Sequence, residues 1–335
     1  MTSEVSVTRS PYISGVLFSA SELAVVDTPS QFWASLSADD ESALLDSEFT
    51  SFKRRLAPHY FQWMYNVKSL VVSEHVSFLL RHAPKTALVR NLFHRGHRAT
   101  LAGRDTSRFD RWVDSYVTRL VWSYANAVDA STRDVYETEL GGTVPIFDDG
   151  HLVSQDLANS RIEWAAIKRN AGQTSFRSCL EVGAGYGRFA YLFLSINPGA
   201  AYTIVDIEPA LTVSRRYLTQ LFPTADLRFV APRNMNDLAG RFFDLGVSIS
   251  SLQEMTLAQV DLYLQLFDRS VADGFVYLKQ WSQWQNTVDG VLHEFEKFPF
   301  PKRWERLEFD RCPIQTKFMQ GVWRLSTAMD LPQRT

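Results

Sequence analysis

Apolar residues follow three successive textures along the chain. Residues 1 to about 30 are broken by Pro11, Gly15 and Pro29 and predict irregular structure. From Gln31 to about Val128 apolar side chains return every three or four positions, the period of a helix face. Phe32, Leu36, Leu44, Leu45, Phe49, Phe52 and Leu56 form one such series. Phe61, Met64, Val67, Leu70, Val71, Val76, Phe78 and Leu79 form a second. Trp112, Tyr116, Leu120 and Tyr124 stand four apart within Phe109–Val128 and form a third. This stretch predicts an all-helical N-terminal domain.

Residues 141–153 hold Gly141, Gly142, Pro145, Asp148, Asp149 and Gly150 and read as a linker or a lid. A helix is expected from Ser154 to a stop at Gly172. From Phe176 short apolar blocks alternate with helical periods. Strands are expected at Ser178–Gly183, Tyr202–Asp206, Leu227–Val230, Asp244–Ile249 and Gly274–Lys279. Helices are expected at Gly187–Ile196, Pro209–Phe222 and Leu257–Val271. Such alternation implies an α/β fold with a parallel sheet covered on both faces. One more helix, about Thr287–Glu296, and two strands, Trp304–Phe309 and Lys317–Leu325, should follow.

At 335 residues the chain has room for two domains of about 150 residues each. The pattern divides it into a helical cap with linker over 1–150 and an α/β domain over 151–335. Lys and Arg total 35 against 37 Asp and Glu, a balance that disfavours a dedicated nucleic-acid binder. One basic stretch stands out: Arg81, Lys85, Arg90, Arg95, Arg98, Arg104 and Arg108 against Asp105 alone. It could meet an anionic substrate or an RNA, but a solvated helix face is the plainer reading. Cys179 and Cys312 are too few for a disulfide framework or a zinc site of their own. No apolar run approaches the roughly 18 residues of a membrane span. Gly15–Val26 is broken by serines and Glu22, so no signal peptide is expected. The expectation is a cytoplasmic protein with no membrane partner.

The chemistry concentrates after the first predicted strand, in Glu181-Val182-Gly183-Ala184-Gly185-Tyr186-Gly187-Arg188. Glycines at alternate positions let the backbone turn sharply and approach a ligand. The helix that follows would aim its N–H groups at it. A dinucleotide fingerprint needs a third glycine where Arg188 stands. Glu181, two residues before Gly183, would repel a pyrophosphate and suits a ligand with a cationic or amino end. Asp206 ends the second strand, 19 residues past Gly187, where an acid binds ribose hydroxyls. A ribose, no phosphate and a positive centre together describe S-adenosylmethionine.

Here the chain resembles the class I S-adenosylmethionine-dependent methyltransferases. Glu181–Arg188, Val205–Leu211, Ser250–Met255 and Tyr277–Trp281 resemble, more narrowly, a bacterial family of sugar O-methyltransferases; the likeness covers about residues 137–325. It implies a seven-stranded Rossmann-like sheet with an antiparallel last pair, capped by the helical domain. It implies cofactor contacts at Glu181, Gly183, Gly185, Tyr186, Gly187, Asp206, Ile207 and Ser251. Asn234 and Met235, with Asn236, are the candidates to hold the adenine, and the Tyr186 ring would pack on the sulfonium. Glu254 is the first candidate for a general base. Gln253 could orient an acceptor, Lys279 bind a carboxylate and Trp281 form a wall. His293 and His151 are further base candidates. His94 and His97 have metal-like spacing but no flanking acids, so no metal is expected.

These motifs report cofactor binding and leave the bond open. Methyl transfer to a sugar or a small secondary metabolite is the first reading. Attack at the aminocarboxypropyl carbon, giving azetidine-2-carboxylate by cyclisation or a transferred group, would release methylthioadenosine instead. An RNA methyltransferase and a non-catalytic scaffold complete the alternatives. A small-molecule acceptor is the expected partner, with a homodimer left open.

Overall fold

A computed structural model describes residues 16–28, 49–55, 70–99, 107–208, 210–287 and 290–326. The predicted helical positions between Gln31 and Glu48, and those from Leu56 to Ser69, lie outside the described residues. Among the described residues the longer helices are α1 (Ala20–Asp27), α2 (Leu70–His82), α3 (Lys85–Leu92), α4 (Arg108–Val128), α5 (Gln155–Ala171), α6 (Arg188–Ile196), α7 (Ala210–Leu221) and α8 (Leu257–Ser270). The central sheet holds β1 (Ser178–Val182), β2 (Ala201–Val205), β3 (Leu227–Val230), β4 (Phe243–Ile249), β5 (Val271–Trp281), β6 (Glu305–Arg311) and β7 (Phe318–Leu325).

The strands lie in the order β3-β2-β1-β4-β5-β7-β6. The first five run parallel, with Val182 beside Val205 and Glu181 beside Val247. β7 inserts antiparallel between β5 and β6, with Phe318 opposite Trp281. Side chains alternate across the pleat, so each strand feeds two cores. Cys179, Tyr202, Ile204, Val247 and Tyr277 face the layer of α5, α6 and α7. Leu180, Val182, Val205, Val276 and Leu278 face α8.

The N-terminal helices join the first layer. α4 buries Val117, Leu120, Val121 and Ala125 against α5, and α2 and α3 rest on α4. Ser107 and Asp110 form a reciprocal cap that fixes where α4 starts. Gly172, with φ +65°, ends α5 at the predicted stop.

The structure corrects three expectations. Residues 20–27 form a helix, started by the Ser19–Glu22 capping box, where irregular chain is predicted. Its segment docks on the far face. The Asn236 amide accepts from Phe18 N–H and donates to Phe18 C=O, both at 2.8 Å. Gln259 donates to the carbonyls of Val25 and Thr28. The predicted helix at 287–296 is instead an antiparallel hairpin, Gln283–Asn286 with Val291–Glu294, turning near Gly290 at φ +69°. Asp289-Gly290 is a turn signal that outranks a short helical period.

The third correction concerns the glycines read as a linker or a lid. Gly141 and Gly142 have φ of +86° and +73°. They form a seat for the turn at Phe49–Arg55, where a Cβ on Gly142 would come within 2.4 Å of the Thr50 carbonyl oxygen. Lys53 enters the interior there. Its ammonium meets Glu137 at 2.9 Å and the Tyr217 hydroxyl at 3.0 Å, with the Tyr186 and Tyr217 rings beside it. Breaking a buried pair by removing one partner costs about 3–5 kcal/mol, because the other charge is left without compensation. Lys53→Met should therefore lower the melting temperature by several degrees, and Glu137→Gln in the same chain should restore most of it. Thermal unfolding by circular dichroism checks this, and an unchanged melting point for the single variant refutes it.

Candidate functional site at the carboxyl ends of the central strands

The sheet reverses its winding at β1: β2 and β3 build outward on one side, β4 and β5 on the other. Ligands of open α/β sheets sit at such a switch point, beyond the carboxyl ends of the strands. The segment that leaves β1 there is the predicted glycine loop. Gly183, Gly185 and Gly187 all adopt the left-handed region, with φ of +75°, +59° and +92°. Gly187 opens α6 without a side-chain cap, so backbone N–H groups of the first turn face the loop. Gly183 has no room for a side chain: a Cβ there would lie 1.9 Å from Ser251 Oγ. The loops after β1 and β4 thus touch through a glycine and a serine.

Asp206 is bound to the same loop. Gly185 N–H donates to its Oδ2 at 3.0 Å and Ile207 N–H to its Oδ1 at 2.8 Å. A carboxylate has about four acceptor positions, so capacity remains for the hydroxyls of a sugar. Burial pushes its carboxyl up to about 7, against the pull of those N–H donors. Glu181 lies on the α5-facing side of β1, fully enclosed, and accepts from the Tyr202 hydroxyl at 2.7 Å. Burial raises it as well, to about 7.

Several predicted residues are turned differently from expectation. The Tyr186 ring does not line the open side of the loop. It is enclosed behind it, 5.5 Å from the Phe52 ring and 5.4 Å from that of Tyr217, with its hydroxyl donated to Asp156 at 3.0 Å. Met235 is fully buried in the α8-side core, and Asn236 is occupied by Phe18, so of the three adenine candidates only Asn234 is exposed. Loop residues point where packing sends them, and apolar Met235 follows the core.

The acceptor-side residues gather after β4 and β5. Ser250 takes φ +57°, a strained conformation for a residue with a side chain, at the tip of β4. Gln253 is a brace: its Oε1 accepts from Trp281 N–H at 2.7 Å and its Nε2 donates to Ser250 Oγ at 3.1 Å. With both amide ends used internally, it orients the two loops. Glu254 is half-buried at the end of the turn Leu252–Glu254. Trp281 lies among Trp284, Phe318 and Lys317, as an aromatic wall. His293 is buried on the hairpin, opposite Trp284. That hairpin packs on the turn that ends in Glu254. Lys279 is not open to an acceptor carboxylate; Glu163 holds it at 2.7 Å, and Gln315 accepts a further bond from it. His151 sits apart, exposed on the hairpin Phe147–Leu152, stacked on Tyr136 at 3.8 Å.

Asp156, Ser160 and Glu163 are functional-looking groups that the sequence reading missed. They repeat every three or four residues along α5, a buried polar stripe facing the glycine loop. Tyr186 bonds Asp156, and Arg188 bonds Ser160 and Glu163. The helical spacing of those polar residues was the available signal. Arg188, which spoils the dinucleotide fingerprint, is therefore an internal tie. Among the described residues no three His, Cys, Asp or Glu side chains gather as a metal set. Nor is any helix of the described residues long and apolar enough to cross a membrane.

Five parallel strands, a switch point at β1 and an antiparallel seventh strand inside the edge decide the architecture. The fold is that of the class I methyltransferases. No protein-family model and no curated protein matches the chain. Solved structures of this fold do. The N-methyltransferase NodS from Bradyrhizobium japonicum WM9, in complex with S-adenosyl-L-homocysteine, matches over 50% of this chain and 87% of its own, at 12% identity and a TM-score of 0.39. The [4+2]-cyclase SpnF matches over 51% and 83%, at 12% identity and 0.40. The protein yhhF from Escherichia coli matches over 50% and 86%, at 17% identity and 0.37. Likenesses this distant assign neither activity nor substrate.

Proposed function

We propose that this chain binds S-adenosylmethionine at the glycine loop and transfers its methyl group to a hydroxyl of a sugar or a small secondary metabolite. The observation that carries the reading is the junction at Gly183. There a side-chain-free loop, Ser251 and the Asp206 carboxylate meet at the switch point, with the acid Glu181 where a pyrophosphate would be repelled. The residues fit the cofactor. Asp206 has acceptor capacity left for ribose hydroxyls, and the loop N–H groups suit a carboxylate. When bound, S-adenosylmethionine supplies an activated methyl group on a sulfonium.

The remaining work falls to the protein's own residues. Ser250, Gln253 and Trp281 fix the acceptor-side loop, so a hydroxyl placed against Glu254 is held in one orientation. Glu254 takes the proton as the acceptor oxygen becomes nucleophilic. Trp281, Trp284 and Phe318 shield the reacting groups from water.

The test begins without an acceptor. Purified protein is incubated with S-adenosylmethionine and the adenosyl by-products are identified by mass spectrometry, then again with a panel of sugars and small hydroxylated metabolites. S-adenosylhomocysteine that appears only with an acceptor supports methyl transfer. Enzyme-dependent methylthioadenosine from the cofactor alone means attack at the aminocarboxypropyl carbon and overturns the methyl-transfer reading. A positioned base is worth about 10²–10⁴ in rate. Glu254→Gln should lose turnover on that scale while S-adenosylhomocysteine affinity stays within about threefold. Full turnover removes Glu254 as the base.

A further inference from the structure

The cofactor loop and the acceptor-side end of β5 share one carboxylate. Glu163, buried on α5, receives both arms of the Arg188 guanidinium: Nη1 at 2.7 Å on Oε2 and Nη2 at 2.9 Å on Oε1. Oε1 is also the partner of the Lys279 ammonium, at 2.7 Å. Arg188 is the first residue after the glycine loop, and Lys279 stands two residues before Trp281 at the end of β5. One oxygen atom therefore links the cofactor side of the site to the acceptor side.

We propose that Glu163 is a positioning residue that sets the glycine loop and the β5 end relative to each other, by compensating Arg188 and Lys279 at once. The inference rests on the S-adenosylmethionine reading above and deepens it.

The local charges support that role. Burial alone would push the Glu163 carboxyl up, yet Arg188 and Lys279 together hold it below its ordinary value. Arg188 is held charged in the interior by Glu163, with Asp156 assisting. Around the Lys279 ammonium stand Glu163 on α5 and Gln315 before β7, with the Phe318 ring at 5.5 Å and the Cys312 thiol within its electrostatic reach. Of these, Glu163 is the acid that pairs with it. Without its charge, two buried cations face each other, and repulsion displaces the start of α6 and with it the loop.

The experiment measures S-adenosylhomocysteine affinity by titration calorimetry on the full chain. Glu163→Gln should weaken binding about tenfold or more, and Lys279→Met alone by less than about threefold. The double variant should recover part of the loss, because the repulsion between Lys279 and Arg188 is gone while Arg188 still lacks its carboxylate partner. A Glu163 that merely fills space would give losses that add, and additive losses overturn the proposal. So does wild-type affinity in a folded Glu163→Gln. If that variant does not fold, Glu163→Asp keeps the charge but shortens its reach. Its smaller loss should again be suppressed by Lys279→Met, and failure of suppression overturns the proposal. A wild-type protein that binds no S-adenosylhomocysteine overturns the cofactor reading and this inference with it. Binding with additive losses overturns this inference alone.

Discussion

Gly183→Ala should lose S-adenosylhomocysteine binding by about tenfold or more, the scale of the roughly 1–3 kcal/mol that overpacking costs. The new Cβ would stand 1.9 Å from Ser251 Oγ and 2.3 Å from Ser251 Cβ. Comfortable contact between such atoms needs about 3.5 Å, so one of the two loops must retreat by more than 1 Å. The backbone adds a second term. At φ +75° an alanine pays roughly 1–2 kcal/mol for the left-handed conformation. Overpacking adds about 1–3 kcal/mol, so the melting temperature should fall as well. Two controls separate these terms. Gly172→Ala carries a similar strain at φ +65° with nothing within 4 Å, and should lose some stability and no affinity. Gly183→Ala with Ser251→Gly removes the overlap but not the strain, and should regain part of the binding. Calorimetry and thermal melting decide the matter; wild-type affinity in Gly183→Ala would place the cofactor elsewhere.

The sheet was legible because parallel strands covered on both faces read as short apolar blocks. The glycine loop was legible because unusual backbone angles demand glycine, and Asp206 because strand-end acids follow from the fold. Side-chain direction was not legible. Tyr186 sits inside the motif, yet Phe52 and Lys53, over a hundred residues earlier, draw its ring behind the loop. Lys279 looked like an acceptor-binding cation, but its partner Glu163 lies 116 residues away. No local pattern couples such positions. The Ser19–Glu22 capping box and the Asp289-Gly290 dipeptide are different: both are local signals that stand in the sequence itself. The polar stripe of α5 lies between these cases. Its spacing shows that Asp156, Ser160 and Glu163 share a face, while only the fold shows that the face is interior.

Affinity for S-adenosylhomocysteine should rise as pH is raised from 6 to 8. Burial lifts the carboxyls of Asp206 and Glu181 to about 7 in the free protein. A ligand that donates hydroxyl protons to Asp206 and brings a positive amino group favours the ionised forms, so it lowers both values. Below pH 7 binding must therefore expel protons, and affinity falls by up to tenfold per unit of pH for each proton released. Above pH 7 this contribution is constant. Folding runs the other way. The unfolded carboxyls titrate near 4, so between about pH 4 and 7 the native state holds more protons than the unfolded one. The contribution of Asp206 and Glu181, joined by Asp156 raised to about 6, therefore makes the free protein less stable as pH rises through that window. At Asp206 and Glu181, loss of stability and gain of affinity thus share one cause, burial that raises both carboxyls in the free protein. The rise in melting temperature caused by saturating S-adenosylhomocysteine should be larger at pH 8 than at pH 6. Asp206→Asn cannot ionise, so it should bind at least tenfold more weakly at pH 8 and show a flatter pH profile, with only Glu181 left to titrate. Calorimetry at pH 6.5 in buffers of different ionisation enthalpy counts the protons directly. Zero proton release, with affinity constant from pH 6 to 8, would mean that neither acid faces the ligand.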